Sequence, residues 1–313
     1  MSRGKYILRR LIQMVPVIIG ITIIVFVLMR LIPGDPAILM AGDHAPDSAI
    51  AQIRHAYGLD KPLYVQYFYF VKNMARLNLG QSLSYHIPVS SLIAQRLPVS
   101  LWVVAFTLLI TCAVSLPLGI LAALKKDSLL DNIVRSTLMV TMVMPSFWIG
   151  IIFIIVLSVK FGLFPVSGYG NGFFGHVRHI FLPALTISLS LAPILIRALR
   201  TNILETMRSD YTRTARAKGL SARTVVTEHV MRNALIPWLT LLGLSIGSLM
   251  GGTVITEKVF GLPGEGALLI DSITARDYPV VQAATLIFAF MVILVNLTTD
   301  IVYSFIDPRI RLS

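Results

Sequence analysis

Residues Asp210–Pro237 read DYTRTARAKGLSARTVVTEHVMRNALIP, and how this stretch is read decides the rest of the chain. Arg213, Arg216, Lys218, Arg223 and Arg232 are offset only by Asp210 and Glu228, and Arg200 and Arg208 add charge just upstream. Gly219 interrupts a helical pattern, and glycine tolerates the left-handed backbone of a helix-ending turn. Ser221 can then accept an amide of a second helix. The stretch therefore predicts a helix–turn–helix in which small residues such as Ala215 and Ala217 let another surface come close. On both sides lie apolar runs long enough to cross a bilayer, which places the stretch at a membrane face. An amphipathic helix resting its arginines on anionic lipid headgroups accounts equally well for these residues taken alone.

The composition demands lipid. The chain has 313 residues, 56% hydrophobic and 13% charged, with a mean hydropathy of +0.79. Soluble domains carry about 25% charged residues, so this chain cannot cover a water-facing surface. The net charge of +12 reads as the Lys/Arg excess of one membrane face, not as the footprint of a nucleic-acid partner. The single cysteine, Cys112, excludes an intrachain disulfide and a cysteine-based metal framework, and reads as a small buried hydrophobe. At the N-terminus MSRGKYILRR precedes the apolar run Leu11–Ile32. Its length, roughly 33 Å as a helix, suits an uncleaved first span better than a signal peptide.

Five further apolar runs follow, at about Ser100–Leu124, Val134–Val159, Phe181–Arg197 (with helix continuing to about Leu204), Leu235–Ile255 and Pro279–Phe305. None alternates with the period of two expected of barrel strands. The expectation is an all-α membrane protein of six transmembrane helices, with a small helical extracytoplasmic region between the first and second. Of the 27 Lys and Arg residues, 17 fall on the side of the N-terminus, Lys125–Arg135, Arg197–Arg232 and the tail, against 10 on the other. That bias puts both termini in the cytoplasm. Residues 1–32 are then the N-terminal segment and first span, 33–98 an extracytoplasmic loop region, 99–306 the transmembrane core with a cytoplasmic loop at 205–235, and 307–313 a cytoplasmic tail. Ser48–Tyr57 and Leu63–Leu77 have helical spacing, and the aromatics Tyr57, Tyr64, Tyr67, Phe68, Tyr69 and Phe70 gather there. An interfacial cap and a landing surface for a soluble partner are compatible readings of them.

Arg213-Thr214-Ala215-Arg216-Ala217-Lys218-Gly219, followed by Arg232-Asn233-Ala234-Leu235-Ile236-Pro237, resembles the coupling loop of bacterial ABC importer permeases. The usual Glu-Ala-Ala triplet is replaced here by Thr214-Ala215-Arg216, a departure similar to the peptide-transport branch. Further matches are Leu31–Pro36 (LIPGDP), Tyr57–Pro62 (YGLDKP), Leu79–Ser82 (LGQS), Arg276–Pro279 (RDYP) and Asp307–Arg311 (DPRIR). Together they resemble the dipeptide/oligopeptide-type permease family over nearly the whole chain. The resemblance implies a multi-pass subunit of the bacterial inner membrane that imports dipeptides or short oligopeptides by alternating access. It implies as partners a second homologous permease, two cytoplasmic ABC ATPase subunits holding ATP and magnesium, an extracytoplasmic substrate-binding protein and the surrounding membrane lipid. It assigns ATPase coupling to Asp210, Tyr211, Arg213, Thr214, Ala215, Arg216, Ala217, Lys218 and Gly219. Related permeases carry glutathione, nickel complexes or other small solutes, and the residues do not separate these.

The chain has no G-x-x-x-x-G-K-[ST] phosphate loop, so no catalytic residue, cofactor or metal is expected within it. Gly243-Leu244-Ser245-Ile246-Gly247 matches G-x-S-x-G, but mid-span it reads as a close-packing helix face, with Gly251 and Gly252, and not as the nucleophile of an intramembrane protease. His176 and His179 stand three apart without a third ligand nearby, which favours a structural role over a metal. Asp300, in the sixth span, is either a boundary acid paired with Arg197 or Arg200 or a gating group. Pro145 should kink the third span, where Met139, Met142, Met144, Phe147 and Trp148 line either a pathway or a packing face. A proton-coupled secondary transporter would need titratable groups at the midplane of paired halves, and only Asp300 qualifies. A reporter that is active only after export, fused behind Ser313, should stay silent in cells; activity would reverse the assigned orientation.

Overall fold

A computed structural model of the chain describes residues 3–31, 37–38, 45–56 and 58–306. The matched motif beyond Leu31, Tyr57 and the tail from Asp307 lie outside them. Among the described residues there is no strand, only an isolated antiparallel bridge between Gln81 and Pro88. The helices in chain order are α1 (Arg3–Leu31), α2 (Asp47–Ala56), α3 (Leu63–Ala75), α4 (Val89–Leu124), α5 (Leu129–Val143), α6 (Ser146–Lys160, ending in a π-helical stretch), α7 (Gly172–Arg208), α8 (Asp210–Ala217), α9 (Ala222–Val259), α10 (Glu265–Thr274) and α11 (Tyr278–Ile306). Four of them, α4, α7, α9 and α11, are long and apolar enough to cross a membrane. The α5–α6 pair adds a fifth span if its two limbs, bent by 106°, are counted as one. In α1 the described apolar run is shorter, Ile12–Leu28.

The bend has the expected cause. Pro145 cannot donate an amide to a continuing helix and drives the preceding residue out of the helical region; Met144 has φ −77° and ψ 130°. The expected third span is thus two helices meeting at an elbow. Other elements outrun their apolar runs. α4 begins at Val89, inside the stretch assigned to the outer loop, and at 36 residues spans roughly 54 Å, well over a bilayer core. α9 starts at Ala222 and passes through Pro237, which was expected to stand near the start of the span.

Two compact units emerge. Tyr6–Ser100 with Pro263–Ile293 make one. In it Thr22, Val25 and Phe26 form the buried stripe of α1. The Thr22 and Tyr67 hydroxyls are 2.9 Å apart, and the Phe26 ring meets Tyr67 at 5.3 Å and Phe70 at 5.8 Å. The aromatic group on α3 therefore divides: Tyr67 and Phe70 face α1, while Tyr64, Phe68 and Tyr69 remain exposed. The His55 ring lies 2.9 Å from the exposed Asp60 carboxylate and, chiefly by that hydrogen bond, holds it below its usual range. A second cluster joins Val89, Leu92 and Ile93 of α4 to Leu268 of α10 and Val280 and Ala283 of α11.

Among the described residues, Arg3–Lys5, Leu101–Leu262 and Leu294–Ile306 make the other unit, and α7 is its most enclosed helix, with 67% of its most apolar window buried. Thr107, Thr111, Ser115 and Gly119 recur every four residues along α4, and the first three are fully buried. Thr111 Oγ1 donates to Ser188 Oγ of α7 at 3.1 Å. A Cβ on Gly119 would sit 3.0–3.2 Å from Leu199 side-chain atoms. Such small-residue seams are how helices approach in lipid, where no hydrophobic force presses them together. Gly119→Val should overpack the seam and destabilise the protein by about 1–3 kcal/mol, read as a lower melting temperature in detergent. Gly20→Ala, where an added Cβ has nothing within 4 Å, should leave it unchanged.

Candidate functional site

α8 is held by a few specific contacts. The Ser209 carbonyl accepts the Thr212 and Arg213 amides, each at 3.1 Å, which starts the helix. Thr212 Oγ1 donates to the Thr206 carbonyl at 2.8 Å, and Ser209 Oγ donates to the same oxygen at 2.6 Å, so α8 is hydrogen-bonded onto the last turn of α7. Thr212 and Ala215, one turn apart, are its buried residues. They seat it against the end of α7 and the π-helical start of α9, Val225–Val230. At its far end Gly219, with φ +79°, donates to Arg216 O at 3.0 Å, and the Leu220 amide donates to Ala215 O at 3.4 Å. This is the Schellman arrangement, which needs a left-handed residue at the Gly219 position. Ser221 Oγ then accepts the Thr224 amide at 3.2 Å and opens α9.

Seating two residues leaves the rest outward. Asp210, Tyr211, Arg213, Thr214, Arg216, Ala217, Lys218, Gly219 and Leu220 are exposed. Asp210 and Arg213 are 3.6 Å apart and both largely exposed, a pairing worth about 0–1 kcal/mol at a surface. The basic face of α8 therefore remains open to an outside partner. Chemically it offers cations, a ring and a leucine.

One residue escaped sequence reasoning. Asp131, in the first turn of α5 and fully buried, receives Arg200 Nε at 2.7 Å on Oδ1 and Arg200 Nη2 at 2.6 Å on Oδ2. The Asp127 amide adds 3.0 Å to Oδ2, and Ser128 Oγ accepts the Asp131 amide at 3.3 Å. The Ser128-x-x-Asp131 spacing is a helix-start pattern visible in sequence. Its partner, 69 residues away, is not.

Of the residues expected on a pathway, Met142 and Phe147 are exposed on either side of the elbow and Met144 stands at its corner. Arg197 reaches toward Met142, its Nη2 3.5 Å from the sulfur. Asp300 lies on α11 with a side chain outside the described residues; Arg200, considered as its partner, is taken by Asp131. His176 and His179 each turn Nδ1 to a backbone carbonyl, Tyr169 O at 3.0 Å and Gly175 O at 2.8 Å. A carbonyl only accepts, so both Nδ1 atoms carry the proton. His176 also stacks on Tyr169, and a Cβ on Gly170 would come within 2.6 Å of the His179 ring, so both rings serve loop packing. Among the described residues no three His, Cys, Asp or Glu side chains gather as a metal site. Ser245 Oγ donates to Leu241 O within α9 at 2.7 Å, a helix-internal bond far from a strand-to-helix elbow. Two motifs distant in sequence meet: Ser82 Oγ and the Ser84 amide donate to the buried Asp277 carboxylate, which caps the start of α11.

Comparison with known proteins agrees along the whole length. Residues 115–312 match the family "Binding-protein-dependent transport system inner membrane component", and residues 3–104 match the N-terminal region of such membrane components. A di/tripeptide transport system permease protein, DppB, of Pseudomonas aeruginosa is 42% identical over 331 residues, covering 98% of both chains. A putative peptide transport system permease of Brucella abortus is 41% identical over 308 residues, covering 97% of this chain and 98% of that one. The glutathione transport system permease GsiC of Salmonella choleraesuis is 37% identical over 307 residues, covering 98% of this chain and 99% of that one. In fold, the inward-facing MetNI methionine ABC transporter superposes with a TM-score of 0.56 at 14% identity, over 69% of this chain and 96% of that chain. The chain belongs to the inner-membrane components of binding-protein-dependent transport systems, a family of transport subunits and not of enzymes.

Proposed function

We propose that this chain is the translocation subunit of an ATP-driven importer of dipeptides and short oligopeptides. Relatives at 41–42% identity named for peptide transport support the substrate class. The sequence has no phosphate loop, so ATP and magnesium belong on two separate cytoplasmic ATPase subunits. A second homologous permease completes the pathway, and an extracytoplasmic binding protein supplies the substrate. Counting α1 and the bent α5–α6 pair as one span each gives six, with both termini cytoplasmic by the Lys/Arg bias. The observation that carries this reading is the way α8 is mounted. Thr212 and Ala215 fix it to α7 and α9, and the rest of Asp210–Gly219 is presented outward.

An ATPase gripping that face would move α8, and through it the ends of α7 and α9, as one body. The pathway runs past the elbow. Met142 and Met144 have supple thioethers that accommodate varied peptide side chains, Phe147 adds an apolar wall, and Asp300 serves at the cytoplasmic gate.

Two substitutions test the docking face. Gly219→Pro cannot adopt φ +79°, and Ala217→Trp puts bulk on an exposed position while leaving the seat at Thr212 and Ala215 alone. Both variants should still insert. Each should lower transport-coupled ATP hydrolysis at least tenfold, since about 1.4 kcal/mol of lost docking energy is a factor of ten. Normal coupling in both, measured in vesicles with the ATPase subunits present, would remove α8 from the docking role.

A further inference from the structure

We propose that the Asp131–Arg200 pair is a positioning latch that carries the movement of α8 into the broken span α5–α6. The inference rests on the docking role of α8 argued above. α8 is bonded to the last turn of α7 at Thr206. Arg200 lies on the same helix, roughly 15 Å from the start of α8 by helical rise. There its guanidinium engages both oxygens of Asp131 as a planar fork, which fixes direction as well as distance. Asp131 in turn holds the Asp127 amide, at a residue with φ +62°, so the latch also grips the turn between α4 and α5. From Asp131, α5 runs straight to the elbow at Met144 and Pro145, where Met142, Met144 and Phe147 stand.

Asp131 is buried and the Arg200 side chain is 17% exposed; desolvation offsets part of what their attraction returns, and apolar replacements of such pairs are often neutral. α5 already has an apolar seat nearby, where Val134 and Leu138 pack with Ala122 of α4 and Ala192 and Ile196 of α7. That cluster seats one face of α5 against α7, and the fork adds a directional contact one turn nearer the start of α5. A residue that sets the angle between a driven helix and a pathway-lining one is what coupling requires.

The test uses the assembled transporter in vesicles with its binding protein and ATPase subunits. Three forms are compared: Asp131→Asn, Arg200→Lys, and the exchange Asp131→Arg with Arg200→Asp. For the latch, Asp131→Asn and Arg200→Lys should assemble and hydrolyse ATP near the parent rate while peptide transported per ATP falls about tenfold or more. The exchange should restore part of that ratio. Two results overturn the latch. One is an unchanged transport-to-ATP ratio. The other is transport falling only in proportion to assembled complex, including failure of both single variants to assemble, which would make the pair structural. If α8 does not dock the ATPase, Gly219→Pro and Ala217→Trp will be silent, so failure of that premise is seen separately.

Discussion

In hydrocarbon, helices gain nothing hydrophobic by touching one another, so close approach has to be built from small side chains and matched polar groups. α7 is the helix on which this chain concentrates that investment. Thr111 reaches Ser188 and Gly119 admits Leu199 on the α4 side. On the α6 side a Cβ at Gly150 would lie 3.3 Å from Thr186, and on the α9 side one at Gly252 would lie 3.6 Å from Ile187. Asp131 grips Arg200 from α5, and Thr212 ties α8 to Thr206. Five neighbouring elements are thereby referenced to one post.

This arrangement explains why the exposed basic element is so short. With its orientation supplied by α7 and by the start of α9, α8 buries only Thr212 and Ala215, and its remaining surface is exposed. The Schellman turn at Gly219 and the cap at Ser221 then reverse the chain within a few residues and satisfy the helix-end groups.

Much of this is legible in the sequence. Length and hydropathy place the apolar runs, Pro145 marks the elbow, and Gly219 and Ser221 mark the turn, because each rests on a local rule of backbone geometry. Helix ends were read less well. Val89–Pro98, within the stretch assigned to the outer loop, is helical because it extends a neighbouring span, and the second helix expected after Ser221 runs unbroken into the fifth span. Pairings were not legible at all. Nothing in the spacing of Asp131 names Arg200, and nothing near Ser82 names Asp277, since a one-dimensional period carries no record of which faces meet. Asp131 is singled out by no motif in the sequence as a partner of Arg200, and the pairing exists only in three dimensions.

The π-helical stretch at Val225–Val230 has a further effect. Buried side chains follow α9 at Val225, Val230, Ala234 and Trp238, a step of five and then steps of four. A regular helix would have turned the inward stripe away from its neighbours over that distance. The wider winding acts as a phase correction, keeping a single keel along the arm beneath α8 and the limb that enters the bilayer. Two segments with unrelated surroundings thus form one continuous helix that carries a single buried stripe.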